Sequence, residues 1–228
     1  MATVAGFVPF TTIDYPGCLA AVVFFKGCPL KCPFCHNPDL QENDGISEVT
    51  WADILSFLSK RKGKLDGVVF SGGEPLMQPD IVNAAHQIKD LGFKVAIHTS
   101  GVYPEKLHQI ASYIDWVGLD IKAPWDKYNN ACGRNNMALK VQESLKFLLK
   151  NEIAFEVRTT CDPNCLTPKD ILKIAKELKT DGVKTYALQR YRTFKEDKRP
   201  PEPSAINQFF TEKALAPVRK LYPNLICR

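Results

Sequence analysis

Three cysteines within eight residues, in the run Cys28-Pro29-Leu30-Lys31-Cys32-Pro33-Phe34-Cys35, are the groups in this chain best placed to do chemistry. They follow an apolar run, Leu19-Ala20-Ala21-Val22-Val23-Phe24-Phe25, so the thiols fall on a tight loop at the end of a buried strand. Gly27, Pro29 and Pro33 shape a loop rather than a core segment. A zinc site closes its tetrahedron with four protein ligands, usually as two separated pairs. Here a second pair is missing unless Cys161 and Cys165 complete a site with two of the three. Three thiolates instead suit a cubane iron–sulfur cluster whose fourth iron has no cysteine and can take an external ligand. The amine and carboxylate of an amino acid could chelate such an iron. Packing as small buried thiols is the plain alternative.

Alternating elements must carry this loop. Strands are expected over 19–25, 67–71, 94–98, 115–121, 153–159 and 183–189, with amphipathic helices over 50–61, 79–91, 104–113, 136–150 and 167–179. Thr50 and the Thr167-Pro168 pair read as helix starts. Residues 205–221 read as a terminal helix and residues 4–13 as an extra edge strand or hairpin. Strand–helix alternation gives parallel strands with right-handed crossovers. Six units are too few for the usual eight-unit barrel, so the fold class is α/β, a partial (βα)6 open barrel with parallel strands. Residues 1–228 read as one domain, with a charged, Pro-rich linker over 195–204.

In such folds chemistry collects at the carboxyl ends of the strands. The cysteine loop follows the first strand and Ser71-Gly72-Gly73-Glu74-Pro75 the second. His98-Thr99-Ser100-Gly101, Asp120-Ile121-Lys122, Arg158-Thr159-Thr160 and Gln189-Arg190 end the next four. One rim therefore gathers every polar cluster. The glycine pair frees backbone groups to approach a ligand closely, or simply makes a turn. Asp120 and Lys122 share a face of an extended segment, as ligand-binding groups or as a structural ion pair. Cys161 and Cys165 read as ordinary thiols, Cys18 as packing, and His98 as a hydrogen-bonded core residue.

The spacing Cys28-x3-Cys32-x2-Cys35, with the aromatic Phe34 before the last cysteine, resembles the signature of the radical S-adenosylmethionine superfamily. Cys35-His36-Asn37-Pro38, the upstream Thr11-Thr12-Ile13-Asp14-Tyr15-Pro16-Gly17 and Phe25-Lys26-Gly27-Cys28-Pro29 narrow the resemblance to the glycyl-radical activating enzymes. Within these it is closest to the activators of anaerobic ribonucleoside-triphosphate reductase, along most of the chain. The resemblance implies a 4Fe-4S cluster on Cys28, Cys32 and Cys35 that reductively cleaves S-adenosylmethionine, so that a radical abstracts hydrogen from a glycine of a partner. It implies that Gly72, Gly73 and Glu74 meet the methionine moiety, that Phe34 packs by the adenine, and that Thr99, Asp120 and Lys122 help to hold the cofactor. Arg158 and Gln189 join the cofactor-binding set through their place on the rim. His98 stands where formate-lyase activators have an aspartate, so the resemblance does not carry cation binding to that corner. A β-branched residue at Gly73, or Met at Lys122, is expected to weaken cofactor binding and leave the cluster intact.

The implied partners are a glycyl-radical enzyme, with anaerobic ribonucleotide reductase first, and a one-electron donor such as flavodoxin or ferredoxin. The lack of a second cysteine-rich insert favours the reductase. A formate-lyase-type partner, a small-molecule radical enzyme and a cluster-bearing electron carrier are the alternatives, and six units with rim motifs exceed what a carrier needs. Composition agrees. The chain has 228 residues, 45% of them hydrophobic, enough for a substantial core. A net charge of +5 dispersed among acids is a weak footprint for nucleic acid, which is not expected as a partner. No apolar run reaches membrane-span length and no export signal is apparent, so a cytoplasmic location with reduced cysteines is expected.

Overall fold

The computed structural model describes residues 3–42, 49–193 and 200–228. One sheet runs in chain order through β1 (Val4–Thr11), β2 (Ala20–Phe25), β3 (Gly67–Gly72), β4 (Lys94–Thr99), β5 (Trp116–Asp120), β6 (Ala154–Cys161), β7 (Tyr186–Arg190) and β8 (Ile226–Cys227). β1 pairs antiparallel with β2, and every later pairing is parallel. The helices are α1 (Trp51–Ser59), α2 (Ile81–Asp90), α3 (Pro104–Ile110), α4 (Tyr128–Cys132), α5 (Met137–Lys150), α6 (Pro168–Asp181), α7 (Pro203–Asn207) and α8 (Glu212–Leu221). An α/β fold with a parallel sheet is thus present as expected. Among the described residues, no helix is long and apolar enough to cross a membrane.

The strands read as continuous apolar runs because both of their faces are covered. Ala21, Val23 and Phe25 of β2 face the main core, with Ile54 and Leu58 of α1 and Ile81 and Ile88 of α2. Ala20 and Val22 face inward, where they pack with Tyr15, Val69, Ala96 and Trp116. Along each strand the inner face then turns polar, because alternate residues share a side. Val69 gives way to Ser71, Ala96 to His98, and Trp116 to Gly118 and Asp120. An apolar floor therefore lies beneath a polar rim.

Local signals set the helix starts. Thr50 and Thr167 each accept from the backbone three residues on, while Asp53 and Asp170 return the bond in capping boxes. Such caps contribute about 1 kcal/mol each. The last strand differs from expectation. Val183 belongs to the end of α6, where its N–H bonds Leu178 O past Gly182 at φ 95°, so β7 begins only at Tyr186. The expected single helix over 205–221 is also divided. Thr211 is extended and its side chain accepts from Ala214 N, so a new helix starts at Glu212. Half of the linker expected over 195–204, residues 195–199, lies outside the described residues, and its second half runs into α7 at Pro203.

Candidate functional site

The cysteine loop leaves β2 and is stitched down by its own backbone. Gly27 N donates to Leu40 O at 2.8 Å, Cys28 N to Gln41 O at 3.1 Å, and Cys35 N to Cys32 O at 3.2 Å. The glycine turn after β3 is bonded onto the same loop, with Gly73 N donating to Phe25 O at 2.9 Å and Glu74 N to Gly27 O at 2.8 Å. Glycine is required at this crossing. A Cβ on Gly73 would stand 2.2 Å from Gly27 O, and one on Gly72, whose φ is +120°, would stand 2.3 Å from Phe25 N.

A cavity of about 330 Å³ opens at the rim, and Cys28, Cys32, Cys35, Phe34, Gly72, Gly73, Thr99, Asp120, Lys122, Arg158 and Gln189 all line it. These expected site residues thus meet in one place. Glu74 does not reach the cavity. Its carboxylate is buried and accepts from Leu76 N at 3.1 Å, Thr99 Oγ1 at 2.7 Å, Ser100 N at 2.8 Å and Ser100 Oγ. Burial pushes its pKa up, against the pull of those donors. Glu74 ties the glycine turn to the end of β4 from behind. Ser100, from the rim cluster that ends β4, lines the cavity too, as do Asp14, His36 and Arg192, which the strand-end pattern does not point to. Asp14 and His36 lie inside the motifs that flank the cysteines, whereas Arg192 has no motif and comes from the segment just after β7.

Charge is concentrated on one wall. Asp120 accepts from Arg158 Nε at 3.0 Å and from Lys122 Nζ at 3.4 Å. Gly118 makes the first contact possible: a Cβ there would stand 2.6 Å from the Arg158 guanidinium carbon. Burial works to raise the Asp120 pKa, but the Arg158 and Lys122 charges outweigh it and hold the carboxyl below its ordinary value. Burial likewise opposes charge on Lys122, and Asp120 overcomes it. Two cations and one anion leave this wall net positive. The Lys122 ammonium also lies 5.8 Å from the centre of the Phe34 ring, within cation–π range.

His98 sits between this wall and the floor. Its Nε2 lies 2.8 Å from Asp14 O, a pure acceptor, so Nε2 carries the hydrogen. Burial, then the Arg158 charge, pushes the His98 pKa from 6.5 down to about 3. Between those values the unfolded chain takes up a proton that the folded chain refuses, so stability falls as pH is lowered through this window. Replacing His98 with Gln should flatten that dependence. Chemical denaturation of both proteins from pH 7 to pH 5 measures it, and equal loss of stability would contradict the assignment.

As a donor set, the three cysteines suit a cluster better than a single ion. Among the described residues, no group of three or more His, Cys, Asp or Glu side chains gathers closely enough to hold one metal ion. A cubane spreads its ligands over several irons, and three thiols on one cavity wall with no fourth cysteine in the lining match that need. Cys161, facing the main core, and Cys165, packed against it, do not line the cavity.

Comparison with known proteins agrees with the geometry. Residues 22–164 match the family profile of the radical SAM superfamily. The chain is 35% identical over 199 residues to a proposed glycyl-radical enzyme activating enzyme of Methanocaldococcus jannaschii, covering 83% of this chain and 80% of that protein. It is 29% identical over 207 residues to the pyruvate formate-lyase-activating enzyme of Streptococcus mutans, covering 83% of this chain and 77% of that one. Among solved structures, Streptococcus suis SuiB bound to its precursor peptide SuiA superposes with a TM-score of 0.67 at 17% identity, over 91% of this chain and 48% of SuiB. That likeness is one of fold.

Proposed function

The chain belongs to the radical SAM superfamily and to its branch of glycyl-radical activating enzymes, and on that premise we propose that it installs a backbone glycyl radical on a partner protein. The observation that carries this reading is the convergence of three thiols, an open glycine turn and a net positive wall on one cavity. Cys28, Cys32 and Cys35 would hold a 4Fe-4S cluster, with S-adenosylmethionine beside it. When bound and reduced by an external one-electron donor, this pair would supply reductive cleavage of the S–C5′ bond and the removal of a hydrogen atom from a glycine Cα, with methionine and 5′-deoxyadenosine as products.

The chain's own residues bind and orient. Gly72 and Gly73 present bare backbone to the amino group of the methionine moiety. Lys122, kept charged by Asp120, faces the carboxylate together with Arg158, while Phe34 covers the adenine side. Thr99 is buried and fixed by Glu74, so it holds the edge of the cavity in place. Gln189 reaches the cavity from β7 and offers an amide to the nucleoside.

A path for the partner's glycine is available. A more open groove lined by Ala5, Gly6, Asn37 and Pro38 shares Phe24, His36 and Asn37 with the cavity. A Cβ on Gly6 would meet no atom within 4 Å, which leaves room for a peptide beside β1. The motifs favoured anaerobic ribonucleotide reductase as partner, whereas the pyruvate formate-lyase-activating enzymes among the relatives favour a formate-lyase-type partner, and we adopt the latter. The test is anaerobic incubation with S-adenosylmethionine, reduced flavodoxin and each candidate in turn. A doublet spin signal on the formate-lyase-type protein is expected, with 5′-deoxyadenosine formed alongside. A signal on the reductase alone would overturn the choice of partner, and cofactor cleavage with neither protein radicalised would overturn the activase reading.

A further inference from the structure

A fourth cysteine stands behind the cluster loop. Cys132 ends α4, is fully buried, and does not line the cavity, so it is not placed as a further iron ligand. It meets the loop outside the cavity lining, and its thiol lies close enough to that of Cys32 for the two to act on one another electrostatically. Backbone contacts hold this approach independently. Lys31 N donates to Cys132 O at 3.0 Å, and Arg134 Nε donates to Pro29 O at 3.1 Å. Gly133, at φ 61°, permits the closeness: a Cβ there would stand 2.5 Å from Lys31 O. Tyr128, at the other end of α4, accepts from Lys122 N at 3.4 Å and donates to Asp120 O at 3.3 Å, which anchors the helix to the charged wall.

We propose that Cys132 is a positioning residue that donates an S–H hydrogen bond to the Cys32 sulfur and thereby raises the reduction potential of the cluster held there. This rests on the cluster reading above. Reduction adds one negative charge, part of which falls on the ligating sulfurs, and a donor aimed at a sulfur stabilises the reduced form more than the oxidised one. Exclusion of water strengthens the effect, because a hydrogen bond in a low-dielectric interior is electrostatically stronger than one in water. Valine would fill much the same buried space, so the donor is what a thiol adds at this position.

The experiment compares reconstituted wild type with Cys132→Ala, Cys132→Val and Cys132→Ser, without any partner. Iron content is measured first, then the cluster midpoint by a redox titration followed by electron spin resonance. Full iron in all four is expected, with the midpoint shifted to more negative potential in the alanine and valine variants. Serine keeps a donor and should restore most of the shift. An unchanged midpoint in a fully loaded alanine or valine variant would overturn the proposal, as would a serine variant that behaves like alanine. Either donorless variant decides the matter if the other folds poorly. A wild-type chain that takes up no iron would overturn the cluster reading itself, which separates the two failures.

Discussion

Serine in place of Cys28, Cys32 or Cys35 is expected to abolish cofactor cleavage, whereas serine at Cys161 or Cys165 leaves it close to wild type. The first three side chains line one cavity wall, and each would supply one of only three protein bonds to the cluster. A hydroxyl is a harder and far more weakly acidic ligand than a thiol, so it does not replace a thiolate on an iron–sulfur cluster. Loss of the cluster removes the electron on which the reaction depends. A fall of at least about 1000-fold in rate is expected, or about 4 kcal/mol of barrier at 1.36 kcal/mol for each factor of ten. Cys161 faces the main core from β6, and burial pushes its thiol well above the ordinary range, as befits an inert packed cysteine. Iron analysis, the optical spectrum before and after dithionite, and 5′-deoxyadenosine yield measure the contrast. A Cys32→Ser protein with full iron and normal cleavage would contradict it, and so would stoichiometric zinc with no iron in the wild type.

Much of the architecture was legible because local rules and tertiary packing agree. The apolar runs that became β2 to β6 are buried on both faces, and the Thr50 and Thr167 starts are true capping boxes. Placing each polar cluster after a strand was enough to bring the cysteines, Gly72, Gly73, Asp120, Lys122, Arg158 and Gln189 to one cavity. Pairings across strands were not legible. Asp120 meets Arg158 because the β5–β6 register sets them side by side and because Gly118 lacks a Cβ, neither of which any local pattern encodes. Glu74 sits in a motif that reads as ligand-binding, yet its oxygens are taken up by Leu76, Thr99 and Ser100, partners that only the folded chain supplies. The segment Tyr128–Cys132 has two adjacent asparagines and is too short to show a period, so α4 was missed. β8 has only two residues and depends on parallel pairing with β7.

A second large effect separates the cluster from the cofactor: Gly73→Val should lose both, while Lys122→Met keeps the iron and loses affinity for S-adenosylmethionine. The motif alone predicts that both changes spare the cluster; the packing of Gly73 predicts otherwise for the first. A Cβ at this position would stand 2.2 Å from Gly27 O and 2.7 Å from Leu40 O, both of them backbone atoms that no rotamer change can move aside. Gly27 directly precedes Cys28, so the displacement falls on the cysteine loop itself. The hydrogen bond from Glu74 N to Gly27 O lies in the same crossing and would be strained with it. Lys122 differs because its side chain lines the cavity, and its removal costs the cysteine loop a cation–π contact with Phe34 rather than a backbone displacement. Asp120 would keep Arg158 as a partner, so no buried charge is stranded. What disappears is a cation facing the cofactor's carboxylate, an interaction worth about 1.5 to 3 kcal/mol, or roughly 10- to 150-fold in affinity. Iron content and equilibrium dialysis of S-adenosylmethionine on the same preparations read the two effects independently. Full iron in Gly73→Val would show that the glycine crossing does not hold the cysteine loop, and unchanged affinity in Lys122→Met would remove that lysine from the cofactor's surroundings.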